Sequence, residues 1–242
     1  MKPPAISGSK AGYVGEMFAR ISGRYDLLNT AMTLGMHHRW KRRVAAIAVG
    51  EGEGRALDVA TGTGDLAIEL ALRPGTSEVV GVDFCPEMLE LARRKSEKRP
   101  PPRPVTFLLG DALRLAFPDD SFLCATSGFA LRNVDSIERS ISEMFRVVRP
   151  GGRVVVLELT PRRSRNILSP LLNLYFNHWV PLLGQLLAGD REAYTYLPDS
   201  VTGFPDAEEL ATLFRNAGMV EVGYRRMNMG AVAIHWGAKP PG

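Results

Sequence analysis

LDVATGTGDLA, Leu57 to Ala67, is the stretch that decides the fold. A short apolar run enters a glycine-rich turn and opens into a helix. Open α/β sheets present backbone donors to a nucleotide-like ligand in this way. Gly62-x-Gly64-x-x-Ala67 also fits the loose dinucleotide fingerprint. The turn alone therefore leaves a pyrophosphate and other adenosine-containing ligands open.

The same rhythm repeats outward from this stretch. Arg55–Ala60, Glu78–Phe84, Pro104–Gly110 and Phe122–Ala130 read as apolar strands. Asp65–Leu72, Pro86–Lys98 and Asp135–Val148 read as helices, the second with proline in its tolerated first turn. Pro150-Gly151-Gly152 reads as a stop and turn before the strand Arg153–Leu159. Apolar strands alternating with helices predict a mostly parallel sheet covered on both faces.

Val14–Asn29 and the basic His37–Ala48 predict helices ahead of this sheet. Beyond it, Asn166–Gly189 is apolar and helical in spacing, interrupted by Pro170 and Pro181. Asp206–Ala217 reads as a capped helix, and strands flanking Asn228-Met229-Gly230 read as a closing hairpin. The expectation is a single Rossmann-like domain over residues 1–242. It comprises a loose leader (1–13), an N-terminal helical flap (14–48), a cofactor-binding core (54–160), a helical insert (166–200), and a closing helix and hairpin (206–239).

A chain of 242 residues with 45% hydrophobic and 23% charged content suits one large globular domain rather than two. The formal charge of +4 is too small to argue for nucleic acid or anionic lipid by itself. Cys85 and Cys124 form neither a disulfide framework nor a metal-ligand pattern, so a reduced cytoplasmic setting and no metal are expected. The first residues lack a signal-type apolar core, and no run of about 18 apolar residues is present to span a membrane.

The charges around the turn choose the ligand. A pyrophosphate wants a helix N-terminus without competing anions. Asp58 closes the strand, Asp65 occupies the first helical turn, and the loop holds no lysine or arginine. Two carboxylates suit a cofactor that carries an amino group and a sulfonium, namely S-adenosylmethionine. Asp65 also reads as a helix cap. Asp83 ends the second strand, where a carboxylate accepts ribose hydroxyls, and Gly110-Asp111-Ala112 ends the third, where it holds an adenine amino group. With Gly62 and Gly64 these loops should converge on one crevice.

Tyr25 to Trp40, YDLLNTAMTLGMHHRW, resembles the N-terminal signature of the C-methyltransferases of menaquinone and ubiquinone synthesis, at Tyr25, Asp26, Asn29, His37 and Trp40. Arg146 to Thr160, RVVRPGGRVVVLELT, resembles that family's second signature, and FALRN resembles its FGLRN with Ala130 for glycine. The likeness runs from about Val14 to Lys239. It implies a class I S-adenosylmethionine-dependent methyltransferase fold and cofactor contacts at Thr63, Asp83 and the Asp111-Ala112 pair. The family's remaining contact, often a serine, falls on Gly128, where only the backbone serves unless Ser127 takes the role.

The implied reaction methylates a ring carbon of a polyprenyl hydroquinone, with demethylmenaquinol preferred and a 2-methoxy-6-polyprenyl-1,4-benzoquinol as the alternative. Arg132 is expected to stabilise a phenolate and Asn133 to orient its oxygen. Tyr25 and Asp26 are expected to close over the acceptor, with His37 either a proton acceptor or a packing residue. The apolar insert reads equally as a lining for the prenyl tail, a contact with the membrane, or plain core. Three further readings stay open. They are a methyltransferase of RNA or another small molecule, a nicotinamide oxidoreductase, and a non-catalytic scaffold. No nucleic-acid partner is expected, since no aromatic–basic stripe is present. The expected setting is cytoplasmic, with peripheral membrane contact and a homodimer left open.

Overall fold

The computed structural model describes residues 10–161 and 200–242. Helix α1 (Lys10–Thr33) forms around Val14, Met17, Ile21 and Leu28, whose spacing buries one helical stripe. Leu34 and Gly35 follow at φ 50° and 74°, and turn the chain into α2 (Met36–Val49). Trp40, Val44, Ala45, Ala48 and Val49 bury the inner face of α2.

The core elements then alternate: β1 (Gly54–Val59), α3 (Asp65–Ala71), β2 (Thr76–Asp83), α4 (Pro86–Lys98), β3 (Val105–Leu109), β4 (Phe122–Gly128), a 3₁₀ turn at Leu131–Asn133, α5 (Ile137–Val147) and β5 (Val148–Leu159). Helix α6 (Ala207–Asn216) leads into the hairpin of β6 (Val220–Met227) and β7 (Val232–Ala238). Asp206 caps α6 by accepting from the amides of Glu208 and Glu209, while Glu209 returns a bond to the Asp206 amide.

The seven strands lie in the order β3-β2-β1-β4-β5-β7-β6. Pairing is parallel from β3 through β5, and β7 sits antiparallel between β5 and β6. Alternation along β1 sends Ala56 to the layer of α2, α3 and α4 and sends Leu57 and Val59 to the layer of α5 and α6. Strand order reverses between β1 and β4, so the loops leaving their carboxyl ends diverge and open a crevice there. The mostly parallel sheet with a closing hairpin is as the sequence predicts.

Two boundaries differ from expectation. Helix α1 starts at Lys10, so the last part of the supposed loose leader is helical. Pro150-Gly151-Gly152 does not precede the strand but bulges within it. Pairing with β4 jumps from Val148 opposite Phe122 to Arg153 opposite Cys124. Gly151 takes φ 76° and donates its amide to the Lys239 carbonyl, which keeps the bulge bonded to the end of β7. The helical insert at 166–200 falls almost wholly outside the described residues. Among those described, no helix is long and apolar enough to cross a membrane.

Candidate functional site

The crevice is walled by the loops after β1, β2, β3 and β4 and roofed by α1. Gly62, at φ 56°, turns the first loop so that its amide donates to Asp83 Oδ2 at 2.7 Å, and the Cys85 amide donates to Oδ1 at 2.9 Å. Asp83 thereby fastens the first loop to the second and keeps lone pairs for a further donor. Burial raises its carboxyl above the ordinary range despite these bonds. Gly64 plays a different part from the one expected. It does not line the crevice, and a Cβ there would meet Phe107 at 2.9 Å and Ala92 at 3.0 Å. Its role is to let α3 lie close to the sheet and α4.

Asp58, Gly62, Thr63, Asp83, Asp111, Ala112, Gly128, Asn133 and Tyr25 all line one cavity, together with Phe18, Lys41, Leu66 and Phe129. Asp58 is its most unusual member. Its carboxylate is 1% exposed, accepts from the hydroxyls of Thr126 (2.8 Å) and Thr61 (2.6 Å), and is pushed up by burial to about 6. An ammonium group entering the cavity relieves that penalty. Asp111 sits at the exposed rim and caps its own turn through the Leu113 amide. This set of acceptors, three carboxylates at the carboxyl ends of three successive strands with apolar walls between them, fits an adenosine carrying an amino acid and a sulfonium.

Asp65 needs a correction. It does not face the cavity as a second free anion: Lys41 Nζ lies 2.8 Å from Oδ2 and Lys95 Nζ 2.5 Å from Oδ1. Burial alone would raise its carboxyl, but the two ammonium groups outweigh that and hold it well below the carboxylate range. Lys95 also bonds Asp26 of α1 at 2.6 Å, and the Thr63 hydroxyl donates to Asp26 Oδ1 at 2.6 Å. One ionic cluster thus ties the flap, the glycine loop and α4 together, and the Thr63 hydroxyl is engaged by the flap. Lys41 and Lys95 were not legible as site residues, because no motif links them to a carboxylate 24 or 30 residues away.

The turn after β4 also departs from expectation. Asn133 lines the cavity, and its Oδ1 is buried without a hydrogen-bond donor. Arg132 lies outside the lining. Its Nη1 contacts Glu158 Oε1 at 2.7 Å and the Phe129 carbonyl at 2.5 Å. Its charge is already half of an ion pair, so it acts on the cavity by bracing the Phe129–Asn133 turn rather than as a bare cation. Gly128 holds the lining position of β4. Ser127 does not take that role, since strand alternation turns it to the other face.

His37 is buried in α2, within the flap. The Thr33 hydroxyl donates to the Asn29 carbonyl, so its oxygen accepts from His37 Nδ1 at 2.7 Å, and Nε2 is left unprotonated and without a partner. Burial, with Lys41 and His38 nearby, lowers its pKa to about 4, so it is neutral at working pH. Ligand atoms of His37, His38 and Asp65 lie within 4.8 Å of one another. Two lysines already neutralise Asp65, and that neighbourhood repels a divalent cation.

Solved structures of low identity share the fold. The [4+2]-cyclase SpnF superposes at a TM-score of 0.71 and 20% identity, covering 97% of this chain and 98% of that one. A Haemonchus contortus phosphoethanolamine N-methyltransferase 2, solved with S-adenosyl-L-methionine, superposes at 0.63 and 15% identity, covering 84% and 52%. A protein named as a cyclase and one named as a methyltransferase thus share this fold, so the fold alone leaves the chemistry open. Fold, cavity and sequence kinship together define an S-adenosylmethionine-dependent methyltransferase.

The chain belongs to the ubiE/COQ5 methyltransferase family, whose profile matches residues 6–239. Its relatives include the ubiquinone/menaquinone biosynthesis C-methyltransferase UbiE of Desulfotalea psychrophila, 44% identical over 96% of this chain and 92% of that protein. The demethylmenaquinone methyltransferase of Deinococcus radiodurans is 44% identical over 98% of each chain. That of Thermus thermophilus is 44% identical over 93% of this chain and 100% of its own.

Proposed function

We propose that this enzyme transfers a methyl group from S-adenosylmethionine to a ring carbon of a polyprenyl hydroquinone, with demethylmenaquinol as the acceptor. The names of its relatives support that acceptor. The observation that carries the reading is the Asn133 Oδ1, a buried acceptor on the cavity wall with no donor. A hydroquinone brings a phenolic O–H to such an oxygen. An oxidised quinone brings only carbonyls and would leave it unpaired.

Asp58 receives the cofactor's ammonium, Asp83 its ribose hydroxyls, and the Asp111-Ala112 rim its adenine, with Thr63 and the Gly62 turn beneath them. The bound cofactor supplies an electrophilic methyl on a sulfonium. Asn133 accepts from a phenolic O–H and fixes the ring orientation, and Tyr25 closes the opposite side. Loss of one phenolic proton to bulk water makes the adjacent ring carbon nucleophilic. After that carbon takes the methyl, return of its ring proton to the phenolic oxygen restores the aromatic hydroquinone, so one proton leaves in all. Phe18, Tyr25 and Phe129 keep the cavity dry, which favours a step that dissipates charge. The Arg132–Glu158 pair holds the turn on which Asn133 depends.

The deciding assay follows labelled methyl from S-adenosylmethionine into the organic phase, in detergent. Chemically reduced demethylmenaquinol, its oxidised quinone and a methoxy-polyprenyl benzoquinol serve as parallel acceptors. Label is expected with the reduced naphthoquinol and absent with the oxidised form. A preference for the benzoquinol would favour the second reading, which rests on relatives named for both quinones. No label with either quinol, from protein that binds the cofactor, would remove the quinol assignment.

A further inference from the structure

The turn joining α1 to α2 carries an apolar side chain that folding does not use. Leu34 is 84% exposed at φ 50°, a region that glycine and asparagine enter more readily than a leucine. Leu27, two helical turns earlier, is 57% exposed, and Met36 beyond the turn is 39% exposed. A monomer gains nothing from holding a leucine in this conformation against water.

The charges beside this tip have one sign. From Leu27 to Gly50 the chain contains Arg39, Lys41, Arg42 and Arg43 and no acidic residue. Met36, Arg39 and Arg43 recur at the three- and four-residue steps that share a helix face, and all three are exposed. Of the nearby carboxylates of α3, Asp65 is paired with Lys41 and Lys95, and Glu69 lies in the field of Arg42 and Arg73. Among the described residues Arg39 and Arg43 carry no ion pair. An apolar tip that runs into a row of unpaired arginines is complementary to an anionic lipid surface, apolar below and phosphate above.

We infer that the α1–α2 turn seats this enzyme on an anionic lipid surface, with Leu34 and Met36 entering the lipid and Arg39 and Arg43 meeting its phosphates. The inference rests on the proposed polyprenyl acceptor for its purpose. The same α1 places Phe18 and Tyr25 in the cavity wall, and Tyr25 lies about 13 Å of helix from Leu34. A lipid-borne ring would therefore travel a short way from the seated tip to the cavity.

Co-sedimentation of the full chain tests this, using vesicles without quinone made of phosphatidylcholine alone or of equal parts phosphatidylcholine and phosphatidylglycerol. The wild type is expected to pellet with the mixed vesicles. Leu34→Asn should bind them roughly ten-fold less well. Its melting temperature should not fall, because asparagine accepts the left-handed region. Arg39→Gln with Arg43→Gln should weaken binding to the mixed vesicles roughly thirty-fold and change little on phosphatidylcholine alone. A wild type that stays in the supernatant with both vesicles overturns the inference, as does Leu34→Asn binding like wild type. Leu34→Asn that alters molar mass in light scattering while leaving vesicle binding intact also overturns it, and assigns the tip to a second copy of the chain. Because the vesicles contain no acceptor, failure of the quinol assignment leaves these outcomes unchanged.

Discussion

Nη1 of Arg132 lies 2.7 Å from Oε1 of Glu158, and that carboxylate has no exposed surface. Oε1 also accepts from the Leu159 amide at 2.8 Å, while Oε2 lies 3.4 Å from the Arg132 amide. The pair joins the end of β5 to the turn after β4, so the FALRN stretch and the second family signature meet at one ion pair. Its function is positional. The cavity side of the turn belongs to Phe129, Ala130 and Asn133.

A buried pair is expensive to break and cheap to replace as a whole. Glu158→Gln should therefore cost about 3 kcal/mol of stability, since it removes the carboxylate charge opposite a buried guanidinium. The double variant Arg132→Met with Glu158→Met should recover most of that loss in denaturant titration. Turnover should stay at least ten-fold down in the double variant, with cofactor affinity near wild type, because the turn loses its fixed geometry. Recovery of turnover along with stability would show that the pair does not position Asn133.

Asp58 predicts how cofactor affinity depends on pH. Burial pushes its carboxyl up to about 6 in the free protein, and the Thr61 and Thr126 hydroxyls only partly offset this. An ammonium bound beside it favours the ionised form, so binding expels a proton below that pH. The dissociation constant for S-adenosylmethionine should fall as pH rises from about 5 to about 7, by up to ten-fold per unit, and then level off. Calorimetry in buffers of different ionisation enthalpy should count the released proton. Asp83 is also raised by burial, so Asp58→Asn should retain only a shallow remainder of the dependence. A wild-type affinity that is flat across this range would dissociate Asp58 from the ammonium.

The sheet and the carboxylate loops were legible because they rest on local signals. Apolar runs marked β1, β2 and β4, and positive φ at Gly62 matched the glycine turn. Asp58, Asp83 and Asp111 were found because a strand end fixes the direction of the residue that follows it. What stayed hidden depends on contacts between distant elements. Nothing local tells that Asp65 turns to Lys41 and Lys95, or that Arg132 turns back to Glu158. The Pro150-Gly151-Gly152 stretch reads as a stop because its residues favour turns, yet pairing to the end of β7 keeps it within the sheet.

Lys95 makes the flap a latch. It bridges Asp26 on α1 and Asp65 on α3, and it donates to Thr63 at 3.1 Å. Burial alone would lower its pKa, but Asp65 and Asp26 raise it, so the charge persists at all working pH values. Lys95→Met leaves two carboxylates around the Thr63 hydroxyl with one lysine fewer. Cofactor release should quicken several-fold while kcat changes little, with the stability loss modest because Asp26 is nearly half exposed. Trp40, whose ring centre is 6.3 Å from that of Phe129 on the cavity wall, provides a fluorescence signal for stopped-flow measurement. Equal release rates in variant and wild type would leave the flap unlatched by Lys95.

His235 gives the acid limb of stability a testable slope. It is fully buried in β7 against Tyr224 and Phe214, and Nε2 lies 2.9 Å from the Ala207 carbonyl. Burial lowers its pKa to about 4 from 6.5, even though the carbonyl favours the protonated ring. The unfolded chain takes up a proton below about pH 6.5 and the native ring does not until about 4. Stability is thus full above that window and drains as pH falls through it, by an amount on the order of 2–3 kcal/mol. Asp58 works in the opposite sense, because its raised carboxyl binds protons more readily in the native state, so the wild-type curve alone mixes the two. The difference between wild type and His235→Phe isolates the ring. At neutral pH the variant should be about 1 kcal/mol less stable for the lost hydrogen bond. That gap should close and then reverse as pH falls toward 4. Urea unfolding midpoints that stay a constant distance apart from pH 7 to pH 4 would mean that His235 titrates normally in the folded protein.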